Sequence, residues 1–231
     1  MTNYEYEKYV TNKENLKKTL EEYGVAIIPN VLNAEECNNM LHGIWDFFEN
    51  ITNNWYSPIN RTCEKSWKNF YELFPSHSML FQYWNIGQSQ VCWDVRQNEK
   101  LLDIYSHFWE CKKEDLLVSF DGLSFNIPPE ITNRGWNKNN CWLHCDQSFT
   151  DSEFKCIQGW VTALDINEND ATLSFLEKSH TFHEDFAREF EIADKSNWYK
   201  LDDIEKEFYY NNKYYYKKIK CPKGSLVLWD S

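Results

Sequence analysis

The sequence predicts a mainly β fold with flanking α-helices, arranged as a helix-flanked β-sandwich or barrel. Three observations support this class. Helical patterns with start and stop signals dominate the first half of the chain, strand-type apolar runs follow from about residue 115, and turn sequences such as IPPE, INEND and CPKG separate those runs. Helices first and many short strands afterwards are typical of this architecture.

The first two elements are a helix and a buried strand. Apolar residues spaced for one face predict a helix over residues 12–23, and Gly24 is placed as its C-terminal stop. The apolar run VAIIP, residues 25–29, then predicts a short strand that ends at the proline.

Two further helices carry their own start signals. Asn33 is placed to cap a helix over residues 34–49, and Glu36 stands three residues later in the capping-box position. Residues 99–110 predict another helix, which begins after Asn98. The helix over 34–49 has one apolar face, so we expect it to pack on a sheet.

The second half of the chain reads as strands with one interruption. Residues 181–208 predict a helical insert, and residues 50–98 are aromatic and turn-rich without a clear assignment. The predicted strands are residues 116–120, 122–127, 141–144, 155–165, 171–177, 213–219 and 224–229.

Composition and charge limit the class of protein. The chain has 231 residues, with 24 basic and 36 acidic side chains and a formal net charge of −12. An acidic balance disfavours non-specific binding to nucleic acid, whose phosphates it repels. Because no repeat or long linker is evident, we predict a single domain over 1–231, with a helix-rich layer over 1–115 and a β core over 116–231.

Cysteine usage indicates a reducing compartment. The eight cysteines never form a C-x-x-C pair, the N-terminus MTNYEYEKYV has no apolar signal segment, and no run of 18 apolar residues occurs. We therefore expect reduced thiols in a cytoplasmic protein without a membrane span. The oligomeric state stays open.

The segment CWLHCDQSF, residues 141–149, holds the strongest chemical signal. On an extended segment, residues two apart point to the same side, so His144 and Asp146 can converge on one ion while Cys145 points away. With a distant histidine, such a pair forms the facial triad of non-haem Fe(II) oxygenases, which leaves three positions open. An isolated H-x-D pair also occurs by chance in a chain with six histidines, so a structural role stays open at this point.

Other side chains near this segment have structural explanations. A zinc site through Cys141, His144 and Cys145 is disfavoured, because structural zinc sites combine two close ligand pairs and no second pair is present. His180 is expected to hydrogen-bond the backbone from a loop, and His183 to face solvent or to cap a helix.

Two histidines on predicted helices and two basic loop residues also have structural explanations. His42 and His107 lie on predicted helices among apolar residues, so we expect core or boundary positions for them. Arg134 and Lys138 are expected to be solvated loop charges, although they could also attract an anionic substrate.

Five stretches, taken in order along the chain, resemble the phytanoyl-CoA dioxygenase family of Fe(II)/2-oxoglutarate-dependent oxygenases. The resemblance covers most of the chain and is weakest at 50–115 and 181–215. The stretches are LEEYGVAIIPNVLNAEEC (20–37), CWLHCDQSF (141–149), IQGWVTALDI (157–166), NDATLSFLEKSH (169–180) and CPKGSLVLWDS (221–231).

This resemblance implies a fold and a site. The fold would be a double-stranded β-helix, a jelly-roll of two antiparallel sheets, with the N-terminal helices packed on one sheet. His144 and Asp146 would be the first two iron ligands, and Gln158 and Trp160 would lie beside the cosubstrate.

Two departures from the family pattern stand out. Glu177 and Lys178 replace the Pro-Gly of the family's Pro-Gly-Ser-His loop. The family pattern also implies a third ligand, a histidine, and an arginine for 2-oxoglutarate shortly after the last strand, and the chain stops at Ser231 before both. We therefore expect a chain truncated at its C-terminus.

The function that follows from the resemblance is Fe(II)/2-oxoglutarate-dependent hydroxylation of a small-molecule or lipid-like substrate. A carboxylate at Asp146 favours hydroxylation, because related halogenases have a small residue there to admit chloride. The alternative is a catalytically inactive jelly-roll that serves as a binding or interaction module and lacks the third iron ligand.

Overall fold

The protein is described by a computed structural model, which covers residues 3–73, 80–132, 143–151, 153–193 and 196–230. Its backbone contacts form two compact units. Unit 1 comprises Met1–Leu32 and Cys141–Ser231, and unit 2 comprises Asn33–Asn140. The organisation as one folding domain stays a prediction.

Eight α-helices are present in the described ranges, and short 3-10 turns connect several of them. None of these helices is long and apolar enough to cross a bilayer. The helices are α1 (Leu16–Tyr23), α2 (Ala34–Ile51), α3 (Glu64–Trp67), α4 (Gln90–Arg96), α5 (Glu99–Trp109), α6 (Pro129–Thr132), α7 (His183–Glu189) and α8 (Asp203–Asn211).

The strands of the described residues all belong to unit 1 and form three small sheets with the orders β1-β7-β5, β2-β8-β4 and β3-β6. All pairings are antiparallel except that of β1 with β7. The strands are β1 (Tyr4–Glu5), β2 (Val25–Ile28), β3 (His144–Cys145), β4 (Ile157–Val161), β5 (Ser174–Leu176), β6 (Tyr199–Lys200), β7 (Tyr216–Ile219) and β8 (Leu226–Asp230).

The two three-stranded sheets of unit 1 share one hydrophobic core. Val25 and Ile27 of β2 and Val227 of β8 meet Ile219 of β7 in a single buried cluster, against which Trp160 of β4 packs. The chain is therefore a mixture of helices and several sheets, and two of these sheets contribute to a common interior. The closed double-stranded β-helix stays a proposal.

Helix α1 packs on β2 and β8, in agreement with an N-terminal helix on a sheet. It begins at Leu16 rather than at residue 12, because the Asn12 side chain accepts a hydrogen bond from the Asn15 N–H (3.0 Å) and holds a turn there. Gly24 ends the helix as predicted, with a left-handed φ of 76°.

The segment predicted as a helical insert contains a strand as well as helices. The prediction of a helical 181–208 is wrong in its middle, where β6 separates α7 from α8. Asp202 and Glu205 form a capping box that starts α8, so the helix begins only after the strand has ended. Phe186 and Leu201 of the insert belong to a hydrophobic cluster that the insert shares with neighbouring segments, which contribute Leu143, Phe149, Leu176 and Tyr209.

Unit 2 confirms the predicted helix starts. Asn33 and Glu36 form both hydrogen bonds of the capping box on α2, and the Asn98 side chain accepts from the Lys100 N–H at the start of α5. The apolar face of α2 packs against α4 and against an aromatic cluster that contains Phe48.

The predicted strands over residues 116–120 and 122–127 are wrong. This segment has a single isolated bridge, between Leu123 and Phe81, and Leu117 is 99% exposed. Its apolar residues alternate as in a strand. Apart from that bridge, its backbone pairs with none of the strands of the described residues.

Candidate metal and substrate site

The strand that carries the predicted ligands forms a two-stranded ribbon with the insert. β3 and β6 are antiparallel, with His144 opposite Lys200 and Cys145 opposite Tyr199. Residues directly opposite in such a pair share a face. One face of the ribbon therefore carries His144 and Lys200, and the other carries Cys145 and Tyr199.

Backbone hydrogen bonds extend this ribbon at both ends. The N–H of Leu201 donates to the carbonyl of Leu143 (2.9 Å), and the N–H of Trp198 donates to the carbonyl of Asp146 (3.1 Å). The pairing thus runs along the whole H-x-D segment, and the insert fixes the direction of the strand that holds both predicted ligands.

His144 and Asp146 converge as the spacing predicts. The Nε2 atom of His144 lies 3.4 Å from Oδ1 of Asp146, and their side chains are 28% and 34% exposed. Two ligand atoms that each lie about 2.1 Å from one ion are at most about 4.2 Å apart. An imidazole nitrogen and a carboxylate oxygen at this separation therefore fit two positions of a metal centre that solvent can reach.

Gln158 of β4 holds the second oxygen of Asp146. Its side-chain amide donates a short hydrogen bond to Oδ2, so Oδ1 is the oxygen left nearest to His144. Outer partners of this kind orient metal-binding carboxylates. Trp160, predicted beside a cosubstrate, is half-buried and packs into the core between the two sheets. Cosubstrate binding by Gln158 and Trp160 stays a prediction.

Cys145 points away from the ligand pair, as predicted. It packs against the hydrophobic cluster that the insert shares with neighbouring segments. Burial raises the pKa of the Cys145 thiol to about 12, with smaller contributions from the carboxylates of Asp146 and Asp230. Because Cys145 lies on the opposite face of the ribbon, it does not complete a zinc site with His144. Cys141 lies outside the described residues.

The two histidines of the insert region have structural partners. His180 confirms its prediction, because its Nε2 atom is 3.0 Å from the backbone carbonyl of Glu21. His183 is the first residue of α7 but is half-buried, contrary to a solvent-facing position. Its ring stacks on Phe149 at 4.4 Å, and its Nε2 atom lies 3.1 Å from the carbonyl of Ser148.

The exposure of two of the remaining basic candidates differs from the prediction. His42 and His107 are both exposed, so the prediction of core or boundary positions is wrong: each falls on the polar face of an amphipathic helix. Arg134 and Lys138 lie outside the described residues.

Two members of the ribbon face were missed by sequence reasoning. Trp198 and Lys200 come from a segment that was predicted to be helical. The two aromatic residues Trp198 and Tyr199 in the stretch NWYK gave only a weak strand signal. No group of three or more His, Cys, Asp and Glu side chains in the described part of the chain is arranged to hold a metal. Within these residues, the predicted pair of His144 and Asp146 therefore has no third side chain of these types arranged beside it.

Comparison with known proteins assigns the family. The family model described as phytanoyl-CoA dioxygenase (PhyH) matches residues 20–231. The chain belongs to the phytanoyl-CoA dioxygenase family. Members of this family have a cupin or jelly-roll fold, and they typically use Fe(II) and 2-oxoglutarate.

Two proteins are similar to this chain, one in sequence and the other in fold. "Ava biosynthesis cluster protein O" from Aspergillus versicolor is 27% identical over 157 residues, which are 64% of this chain and 49% of that protein. The match thus spans about half the length of this curated relative. A crystal structure from Salmonella typhimurium LT2, provisionally described as an oxidoreductase, superposes with a TM-score of 0.57 at 10% identity, over 100% of this chain and 68% of that one.

The match to the phytanoyl-CoA dioxygenase family covers the candidate site. The H-x-D pair, the strand with Gln158 and Trp160, and the loop from Glu177 all lie within the matched residues. The family assignment supports oxygenase chemistry and gives no support to the inactive alternative.

Proposed function

We propose that this chain is an Fe(II)/2-oxoglutarate-dependent dioxygenase that hydroxylates a small organic or lipid-like molecule. The observation that supports it best is the 3.4 Å separation of His144 Nε2 and Asp146 Oδ1 on one face of a strand. In a member of this family, that pair is suited to hold Fe(II).

The metal and cosubstrate supply the oxidation when bound, according to R–H + 2-oxoglutarate + O₂ → R–OH + succinate + CO₂. The chain provides the geometry. His144 binds through its Nε2 lone pair, which requires that the ring proton is on Nδ1. Asp146 binds through Oδ1 while Gln158 retains Oδ2, so the carboxylate keeps one orientation.

The substrate class is proposed from the sequence relative and from charge. The name of the Aspergillus relative places that protein in a biosynthetic cluster. The acidic balance of this chain argues against nucleic acid as a substrate.

Anaerobic titration with Fe(II) and 2-oxoglutarate tests the proposal. The wild-type chain should develop the weak visible charge-transfer band of the iron chelate, and H144A and D146A should not. H42A is the matched control, because His42 is an exposed histidine on α2, and it should retain the band. The titration is repeated on a C-terminally extended chain, because the family pattern implies a third histidine and an arginine shortly after Ser231. A folded extended chain without a band would reject the proposal in favour of the inactive module.

A further inference from the structure

A large aromatic ring lies beside the ligand pair. The ring centroid of Trp198 is 5.9 Å from that of His144, and the two planes are tilted by 35°. Trp198 is 52% exposed. A half-exposed tryptophan next to a predicted metal centre gives a ligand a wide apolar surface within reach of the metal.

The backbone holds Trp198 in an uncommon conformation. Its φ of 67° lies in the left-handed region, which bulky residues rarely adopt and which persists only where the surroundings fix it. Here its N–H donates to the carbonyl of Asp146, and β6 pairs with β3 directly after it. The same hydrogen bond that strains Trp198 therefore ties it to a predicted ligand.

The position of the ring sets which substrates it can favour. Trp198 directly precedes β6, and the contact of its ring with the His144 ring places it on the side of the ribbon that carries His144. A planar π-system gains an offset stack on an indole ring in addition to the buried area, whereas a puckered saturated ring of the same size gains only C–H and van der Waals contacts. An indole ring therefore favours the planar ring of such a pair.

We infer that Trp198 is a substrate-binding residue and that it selects substrates with a planar aromatic or conjugated ring. This inference rests on the proposed function, because it assigns the substrate class of the same centre. Trp198 contacts the substrate, and the insert positions it there.

A pair of probes that differ in flatness tests the inference on the full chain without iron or oxygen. 2-Naphthol is planar, and decahydro-2-naphthol is its saturated counterpart. Titrations followed by ligand-observed NMR should show tighter binding of 2-naphthol to the wild type. W198A should weaken binding of 2-naphthol by up to about tenfold more than binding of decahydro-2-naphthol, the upper range for an aromatic pair.

Two variants separate the loss of stacking on the Trp198 ring from a general disruption of the fold. W198F keeps an aromatic ring and should retain most of the preference for 2-naphthol, even if W198A folds poorly. W84A is the matched control, because Trp84 in unit 2 is 51% exposed and also has a left-handed φ of 59°; it should change neither affinity.

Three results would overturn the inference: equal affinity of the wild type for both probes, no binding of either, or an equal loss of both in W198F. Because the titrations use no metal, a missing iron-chelate band would reject the proposed function and leave this measurement unaffected.

Discussion

At the scale of single residues, the two oxygens of Asp146 have different partners. Oδ1 lies toward His144, and Oδ2 accepts from the amide of Gln158. A carboxylate held at one oxygen cannot rotate freely, so the other oxygen stays directed at the ion position. Gln158 thus acts through Asp146, as a positioning residue.

Replacing Gln158 by Leu should weaken divalent metal binding by about 10- to 100-fold, the usual effect of losing such a partner. Titration with Co(II), followed by its visible absorption, measures the affinity. Q82L is the control, because Gln82 donates a similar hydrogen bond to Asp121 (2.7 Å) in unit 2. Unchanged Co(II) affinity in Q158L would contradict the positioning role.

The loop from Glu177 shows how the chain replaces the Pro-Gly of the family. Lys178 takes the glycine position with a φ of 67°, and its ammonium lies 5.4 Å from the centroid of the Tyr23 ring. The Glu177 carboxylate forms an ion pair with Lys8. Side-chain contacts therefore compensate for a backbone conformation that glycine adopts more easily.

The variants K178G and K178A separate the backbone and side-chain contributions of Lys178. Both lose the contact with Tyr23, but only alanine keeps the strain of the left-handed conformation, so K178G should be more stable by about 1 kcal/mol. Urea denaturation measures the difference. At the exposed helical residue Lys17 the order should reverse, since alanine exceeds glycine there by about 1 kcal/mol. The same order at both sites would contradict the explanation.

At the scale of elements, the insert is held together by a buried carboxylate. Glu205 is 6% exposed and accepts a short hydrogen bond from the Tyr199 hydroxyl, and it caps α8 through the Asp202 N–H (2.7 Å). Tyr199 occupies the ribbon face opposite to the ligand pair. The contact therefore stabilises the insert without touching the candidate site.

Replacing Tyr199 by Phe should lower the free energy of unfolding by about 1–3 kcal/mol, because it removes a donor from a buried charge. Urea denaturation at neutral pH measures the loss. Y56F is the control, since Tyr56 is fully exposed, and it should be neutral. A neutral Y199F would show that Glu205 does not need this donor.

The same contact predicts how stability depends on pH. The hydrogen bond to Glu205, with burial as a second cause, raises the pKa of Tyr199 to about 12. A pKa raised above its unfolded value of about 10 contributes stability that is complete below pH 10 and is lost as the pH rises toward 12. The difference between the wild type and Y199F should therefore shrink over that range; a difference that grows would contradict the assignment.

Local sequence signals predicted the elements that depend on neighbouring residues. The capping box of Asn33 and Glu36 and the glycine stop at Gly24 are confirmed, because both act within one turn of the chain. Strands depend on partners that are distant in sequence. The pairing of β3 with β6 was therefore missed, and residues 116–127 were assigned a strand that does not form.

At the scale of the whole molecule, the part of the candidate site that depends on neighbouring residues was predictable, and the part that depends on distant segments was not. The convergence of His144 and Asp146 follows from the two-residue period of an extended strand, so the sequence was sufficient. The hydrogen bond from Gln158 and the ring of Trp198 come from other segments brought together only by folding. No periodicity along the chain could have indicated them.

Metal binding should stabilise the whole chain, because an ion that binds only the folded state shifts the unfolding equilibrium. At a Co(II) concentration of 100 times the dissociation constant, the gain should be about 2.7 kcal/mol. Urea denaturation with and without Co(II) measures it. H107A, which changes an exposed histidine, should keep the gain and D146A should lose it; equal gains in both would place the binding elsewhere.

The ribbon of β3 and β6 joins two segments that lie far apart in the sequence. The predicted ligands belong to one segment, while Trp198 beside them is encoded far downstream, next to β6. If the proposed site holds, substitutions around Trp198 change which molecules it accepts and leave the imidazole and the carboxylate untouched.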